Sequence, residues 1–381
     1  MRKKQLHKVP LLGDNIYPLD GSPDSASITN NQGLKLAVYS WQVDDPKAAI
    51  LLVHGVQTHA RFEFLRHLQP GEPDLPLPDA PAGTHKTEGS AGMATNTTPE
   101  GSGLSHQYAR WCIYEGSWVH QLNAIGCSVY AVDLESFGFS EGWKGRRCSV
   151  ERLDNLALDV ICFAEYVEKD LSRRAKGAAP PPMFLMGISM GGFSVVRALE
   201  LMGKCNHSLI RAGSASPDEN QARLAGCIAL APMLSVEKAS SGALNKSLAK
   251  IGGILSRLAP HLGVAKLHPA RFPWIDFQKD EDPLVTSPLR LPCRLALEAL
   301  ASIPKVHADA QFIPDHLRVL IIHAEQDTLV EPAGSIRFHN ESAKHITERQ
   351  LLLLQGDRGH YLIIEPENSE LIAKIIEWIN V

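Results

Sequence analysis

The sequence predicts an α/β protein: a mostly parallel sheet covered by helices on both faces, with an inserted helical cap and a long low-complexity loop insertion. Three observations carry this. Short, continuous apolar runs alternate with segments of helical period, the pattern of strands buried on both faces. One such run, Phe184-Leu185-Met186-Gly187-Ile188, ends in Ser189-Met190-Gly191-Gly192 and passes into a helix-forming segment, Phe193 to Met202. The alternation breaks once, between Met233 and about Asp315, and then resumes.

Length and composition set the outer limits. A chain of 381 residues buries a substantial core, as one large domain with insertions or as two smaller ones. The 38 basic and 42 acidic residues leave a formal charge of -4, which argues against broad nucleic-acid binding, since that needs a basic face. No apolar run reaches the roughly 18 residues of a membrane span. The start, Met1-Arg2-Lys3-Lys4, lacks a following apolar core and does not read as a secretory signal. It reads as a solvated terminus, with contact to an anionic membrane surface left open. Seven cysteines (Cys112, Cys127, Cys148, Cys162, Cys205, Cys227 and Cys293) are odd in number and lack Cys-x-x-Cys spacing. They read as free thiols of a reducing, cytoplasmic compartment, with neither a disulfide framework nor a zinc site. The sixteen histidines show no metal-ligand spacing; His54 and His59 lie five apart, but in a loop.

In chain order, residues 1–27 are a polar extension, expected to be poorly ordered. Gly33 to Trp41 alternates and predicts an edge strand. Ala48 to Val53 is wholly apolar, predicts a buried strand, and ends in His54-Gly55-Val56-Gln57. From Gln69 to Gly103 the chain turns to Pro, Gly, Thr, Ser and Asp. That stretch has too little apolar surface to offset its ordering entropy and is expected to be a disordered insertion. Tyr114 to Ile125 predicts a helix, Cys127 to Val132 a parallel strand, Asp133 to Trp143 a loop and Leu153 to Leu171 an amphipathic helix. Leu224 to Leu230 is another buried strand. Within the cap, Leu244 to Ala259 carries Leu244, Leu248, Ile251, Leu255 and Leu258 on one helical face. Strand Arg318 to His323, helix Gly334 to Ser342, strand Gln350 to Leu354 and helix Asn368 to Trp378 close the chain. The organisation is thus an N-terminal extension (1–27), a first core segment (28–232, with the 69–103 insertion), a helical cap (233–315) and a second core segment (316–381).

The Gly-x-Ser-x-Gly stretch carries chemistry. A strand that turns sharply into a helix needs small flanking residues, and it presents the central hydroxyl above the sheet beside the helix's first amides. Ser189 is therefore the expected nucleophile. A serine hydroxyl needs a base, and the base needs an orienting acid; in such a sheet they follow in the order Ser, acid, His, each after a strand's C-terminal end. Asp327 lies in the loop after Val319 to His323, and His360 in the loop after Leu351 to Leu354. Asp315, before its strand, and Asp357, beside the histidine, are rivals for the acid, and Asp327 has an N-cap as its plainer reading. The oxyanion needs two donors: the Met190 amide, and one from His54-Gly55-Val56, with the Val56 amide best placed. His54 is expected to brace that loop.

Gly187-Ile188-Ser189-Met190-Gly191-Gly192 resembles the GxSMGG turn of the monoacylglycerol lipase and lysophospholipase branch of the α/β-hydrolases. His54-Gly55 with His59 and Arg61 resembles that family's oxyanion loop, and Asp133 to Ser140 matches its DxxGHGxS loop in part. Asp327 to Val330 and His360 to Glu365 resemble its acid and histidine loops. Tyr39-Ser40-Trp41, His59-Ala60-Arg61-Phe62 and Ser140-Glu141-Gly142-Trp143 resemble the apicomplexan lysophospholipase and esterase group most closely. The sequence departs from the pattern at Gln57-Thr58, where many members have Gly-Glu, and at Ser136-Phe137, where the family has Gly-His. The cap has no readable match.

The resemblance implies an α/β-hydrolase fold and a cytoplasmic serine hydrolase of monoacyl lipids, lysophospholipid or monoacylglycerol, working through an acyl-enzyme on Ser189. Esterase, thioesterase or acyltransferase chemistry on short acyl groups is the alternative, and a non-catalytic ligand-binding protein a more distant one. No cofactor, metal, nucleic acid or obligate protein partner is required by this chemistry. The expected partner is a lipid ester, with peripheral membrane contact left open.

Overall fold

In the computed structural model, which describes residues 16–77, 109–211, 222–235, 258–265, 269–285 and 291–379, the apolar runs lie side by side in one eight-stranded sheet. Its strands are β1 (Asp24–Thr29), β2 (Lys35–Trp41), β3 (Ala48–Val53), β4 (Cys127–Val132), β5 (Met183–Ile188) and β6 (Leu224–Leu230). A two-stranded pair, β7 (Gly263–Ala265) and β8 (Leu291–Pro292), stands apart, and β9 (Arg318–Ala324) and β10 (Arg349–Leu354) complete the sheet. The order is β1-β2-β4-β3-β5-β6-β9-β10. All pairs from β4 to β10 are parallel, and only the β1-β2-β4 side is antiparallel.

The helices are α1 (Ala60–Phe64), α2 (Trp118–Ala124), α3 (Asp154–Arg174), α4 (Met190–Lys204), α5 (Pro273–Glu281), α6 (Cys293–Asp309), α7 (Pro332–Arg337) and α8 (Leu371–Ile379). Successive side chains of a strand point to opposite faces, and β3 shows why its sequence is unbroken apolar. Ala49, Leu51 and Val53 join a core with Leu156 and Phe163 of α3 and Phe193 and Val196 of α4. Ala48, Ile50 and Leu52 join the opposite core with Trp118 and Leu122 of α2 and Ile375 and Trp378 of α8. A polar residue on either face of β3 would be buried without water.

Three sequence expectations are corrected. Gly33 to Trp41 does not form the edge: Asp24–Thr29 pairs outside β2, Asp24 opposite Ser40 and Thr29 opposite Lys35. That strand buries only Ile28, and its polarity disguised it as part of the extension. The helix expected from Tyr114 begins at Trp118, where the Ser117 hydroxyl caps the His120 amide. The helix expected over Gly334 to Ser342 is α7 followed by a wider turn, Phe338–Ser342.

The base of the long insertion is closed, because Arg66 and Ile113 exchange both backbone hydrogen bonds, at 2.8 and 3.0 Å. Most of that insertion and the predicted helix at 244–259, except its last two residues, lie outside the described residues. Among the described residues no helix is long and apolar enough to cross a membrane. All seven cysteines are free thiols.

Candidate active site

β5 delivers Ser189 and α4 begins at the next residue. Ser189 holds φ 56° and ψ -116°, a left-handed conformation that a non-glycine residue takes only when its surroundings force it. The forcing bonds are visible. The Ser189 amide donates to the Leu230 carbonyl at 2.9 Å, and its carbonyl accepts from the amides of Phe193 and Met233, both at 3.0 Å. The flanking glycines are demanded by close approach. A Cβ on Gly187 would stand 2.4 Å from the Gly191 carbonyl oxygen, and one on Gly191 2.2 Å from that of Val53. Gly191→Ala is therefore expected to destabilise by about 1–3 kcal/mol or more, since the obstacle is backbone and cannot rotate away. Thermal melting of the variant checks this; an unchanged midpoint would mean the turn is looser than its geometry.

β9 and β10 are neighbours in parallel register, Ala324 opposite Leu354, so the loops after them emerge together. The structure brings Asp327 and His360 into contact: Asp327 Oδ2 accepts from His360 Nδ1 at 2.6 Å. The other carboxylate oxygen accepts from the amides of Leu329 (2.8 Å) and Val330 (2.9 Å). Burial pushes this carboxyl up, but the electrostatic pull of the neighbouring His360 and the hydrogen bonds from His323, His360 and Val330 outweigh it and hold it well below the usual range. The rivals are elsewhere. Asp315 has a largely exposed carboxylate beside His316, and the exposed Asp357 carboxylate pairs with Arg271 at 2.7 Å. With Nδ1 engaged, the other ring nitrogen of His360 is the one left for proton transfer.

Ser189 and His360 line one cavity with Gly55, Val56, Glu63, Ile188, Lys279, Leu329 and Tyr361. The loop after β3 is part of its wall. His54 donates from Nδ1 to the Gly55 carbonyl at 2.7 Å and accepts at Nε2 from the Leu134 amide at 3.0 Å. Burial drives this imidazole down to about 4, so it stays neutral and braces the loop. Gln57 stands at φ 55° and Ser136 at φ 73°. These are positions where the resemblance expects glycine, and the side chains are accommodated with the left-handed backbone kept. The Ser136 hydroxyl accepts from the Trp143 amide at 3.2 Å and donates to the Ser149 carbonyl, which offsets some of the strain. Phe137 packs edge-on against His54, ring centroids 5.4 Å apart.

Four contributors escape sequence reasoning. His323, wholly buried on β9, donates from Nε2 to the Val330 carbonyl at 3.1 Å and reaches Asp327 at 3.3 Å, while Nδ1 faces the Ser335 hydroxyl at 2.7 Å. Its place near the end of β9, four residues before the acid, was the available signal. Glu63 of α1, Lys279 of α5 and Tyr361 add polar groups to the cavity wall. Lys279 Nζ donates to the Tyr361 hydroxyl at 3.3 Å and lies 4.6 Å from that ring's centre. Lys279 comes from the segment between β6 and β9, and only the folded chain brings it here.

That segment is tied down behind the cavity. Asp282 Oδ2 accepts from Tyr17 and Trp111, each at 2.7 Å, and Oδ1 from the amides of Leu284 and Val285. His59 Nε2 lies 3.4 Å from Asp282. His59, Cys112 and Asp282 are close enough together to hold a metal ion, but His59 Nδ1 accepts from the Phe62 amide, which places the ring proton on Nε2. Asp282 already has four donors, so the group reads as a satisfied knot between the segment and the core.

A strained serine between a parallel strand and a helix, with a carboxylate and a histidine from the loops after β9 and β10, defines an α/β-hydrolase. The chain belongs to the serine aminopeptidase, S33 family (Hydrolase_4), whose model matches residues 106–367. No curated protein sequence matches it. Solved structures with the same fold include the monoacylglycerol lipase of Paleococcus ferrophilus, 20% identical with a TM-score of 0.57, covering 90% of this chain and 98% of that one. A soluble variant of the monoglyceride lipase from Saccharomyces cerevisiae, in complex with a substrate analog, is 17% identical with a TM-score of 0.60, covering 98% and 97%. A thermostable carboxyl esterase from Bacillus coagulans is 15% identical with a TM-score of 0.57, covering 94% and 98%.

Proposed function

We propose that the protein hydrolyses carboxylic esters of monoacyl lipids through an acyl-enzyme on Ser189. One observation carries the reading: Ser189 and His360 line one cavity, and His360 is bonded at Nδ1 to a buried, ionised Asp327. His360 takes the Ser189 proton as the hydroxyl attacks the ester carbonyl, then gives it to the departing alcohol. Water repeats the sequence on the acyl-enzyme and releases the acid. Asp327 holds the imidazole in the tautomer whose far nitrogen accepts. The amide of Met190, first in α4, and that of Val56 are the oxyanion donors. Side chains and backbone amides suffice for every step.

The choice of monoacyl lipid rests on the resemblance of the loops and on the cavity's mixed wall. Val56, Ile188 and Leu329 give apolar surface, while Glu63, Lys279 and Tyr361 stand near the base, where an alcohol would leave. The test is free fatty acid release from lysophosphatidylcholine and from monoacylglycerol, side by side, with Ser189→Ala as the blank. Release from either, absent in the blank, supports the reading, and the preferred substrate names the head group. Release from neither, with a small activated ester still cleaved, would replace the lipid assignment by a short-acyl esterase. Transfer of the acyl group to an added alcohol in place of water would make it an acyltransferase.

A further inference from the structure

We infer that Glu365 is a positioning residue for the base: its carboxyl group holds the amides on either side of His360 and so aims the imidazole between Asp327 and Ser189. The inference rests on the hydrolase reading above. The Gly359 amide donates to Glu365 Oε2 at 2.8 Å, and the Tyr361 amide to Oε1 at 3.4 Å. The peptide joining His360 to Tyr361 is held on its other side too, since the His360 carbonyl accepts from the Leu362 amide at 2.9 Å. A peptide is planar, so gripping its N–H and its C=O sets its plane beside the His360 Cα. The ring on that Cα must meet Asp327 with Nδ1 and serve Ser189 with the other nitrogen. One small ring with two fixed duties leaves little room for a backbone shift.

The local turn brings the carboxyl group back to the histidine. The Tyr361 carbonyl accepts from the amides of Ile364 and Glu365, at 3.0 and 2.9 Å, which folds residue 365 against residue 361. The fit is tight: a Cβ on Gly359 would stand 2.3 Å from Glu365 Oε1. Glu365 is 2% exposed, and a carboxyl so placed is costly unless its oxygens are bonded. Burial pushes it up and the charge of Glu367 adds to the rise, while the two amides and the charge of Arg271 pull it back. A carboxylate–amide bond is roughly twice as strong as a neutral one, which suits a part that must not yield as the ring takes and gives a proton. Glu365 lies outside the wall of the Ser189 cavity and lines a separate one with Arg66 and Trp118, so it acts through the loop and not on the substrate. The outer limb of the loop is tied independently: Arg358 donates to Asn368 Oδ1 at 3.0 Å and to Glu370 Oε1 at 2.6 Å.

The experiment compares wild type, Glu365→Ala, Glu365→Gln, Gly359→Ala and Arg358→Ala on 4-nitrophenyl butyrate, with Ser189→Ala as the blank. Thermal melting establishes folding, and proton NMR follows the low-field resonance of the Nδ1 proton that His360 donates to Asp327. Glu365→Ala should lose about 10²-fold in kcat, the scale of a misplacement of about 1 Å, with KM little changed and that resonance weakened or lost. Gly359→Ala keeps the glutamate but puts a methyl group where its carboxyl lies. It should fail in the same way, and it serves if Glu365→Ala does not fold. Glu365→Gln keeps one acceptor for the two amides and should fall between wild type and Glu365→Ala. Arg358→Ala releases only the outer limb and should keep wild-type kcat. A folded Glu365→Ala protein with wild-type kcat, a loss confined to KM, an unchanged resonance, or an Arg358→Ala protein as slow as Glu365→Ala would overturn the proposal alone. Wild type no faster than the blank would bring down the hydrolase reading and this inference with it.

Discussion

Ser189→Ala should reduce turnover of a small activated ester by about 10⁶-fold, the loss seen when an acyl-transfer nucleophile is removed, and leave the fold intact. Both halves follow from the geometry. The hydroxyl is the only atom lost, and it is the atom that forms the bond to the acyl group. What holds residue 189 in its strained conformation is backbone: the amide bond to Leu230 and the carbonyl bonds from Phe193 and Met233. Alanine keeps all three. The variant should therefore melt within about 0.5 kcal/mol of wild type, as expected where no packed or bonded group is removed. Retained ester hydrolysis in a folded Ser189→Ala protein would sink the assignment of the nucleophile. A large fall in melting temperature would mean that the hydroxyl stabilises the turn.

The parts of this site that were legible in the sequence are those that local chain chemistry encodes. Gly187 and Gly191 are visible because backbone passes so close to them that no side chain fits. Asp327 and His360 are visible because each follows an apolar run that can only be a buried strand, and parallel strands place their following loops on one edge. Glu63, His323 and Lys279 are different in kind. Apart from the place of His323 just before the acid, nothing adjacent marks them, and their meaning comes from tertiary contact: Glu63 beside Gly55, His323 with Asp327, Lys279 with Tyr361. The edge strand Asp24–Thr29 escaped for a related reason. A strand that buries only Ile28 is specified by the hydrogen bonds that β2 offers, and these leave little trace in residue type. Gln57 and Ser136 make the converse point. Their left-handed backbones show that a loop shape can persist after the glycine that would favour it is replaced.

Asp327→Asn should cost about 10⁴-fold in kcat, and the reason is a tautomer. Asp327 Oδ1 accepts from two backbone amides, at 2.8 and 2.9 Å. An asparagine would keep its carbonyl oxygen there, because turning its amide nitrogen toward two N–H groups would leave three donors facing one another. Its NH₂ would then face His360 Nδ1, which could only accept, and the ring proton would move to the other nitrogen. An imidazole protonated there cannot take the Ser189 proton. The same substitution at Asp315 or Asp357 should leave kcat nearly unchanged, since one is exposed beside His316 and the other serves a surface pair with Arg271. A collapse in either, with Asp327→Asn unaffected, would show that the acid was wrongly assigned. Stability gives an independent check with a definite sign. The Asp327 carboxyl titrates lower in the folded chain than in the unfolded one. Its contribution is therefore present above the ordinary carboxylate range and is lost as the pH falls toward its folded value. Asp327→Asn should lower the melting temperature at neutral pH and remove part of its decline in acid; a variant that keeps the full acid decline would place the ionised group elsewhere.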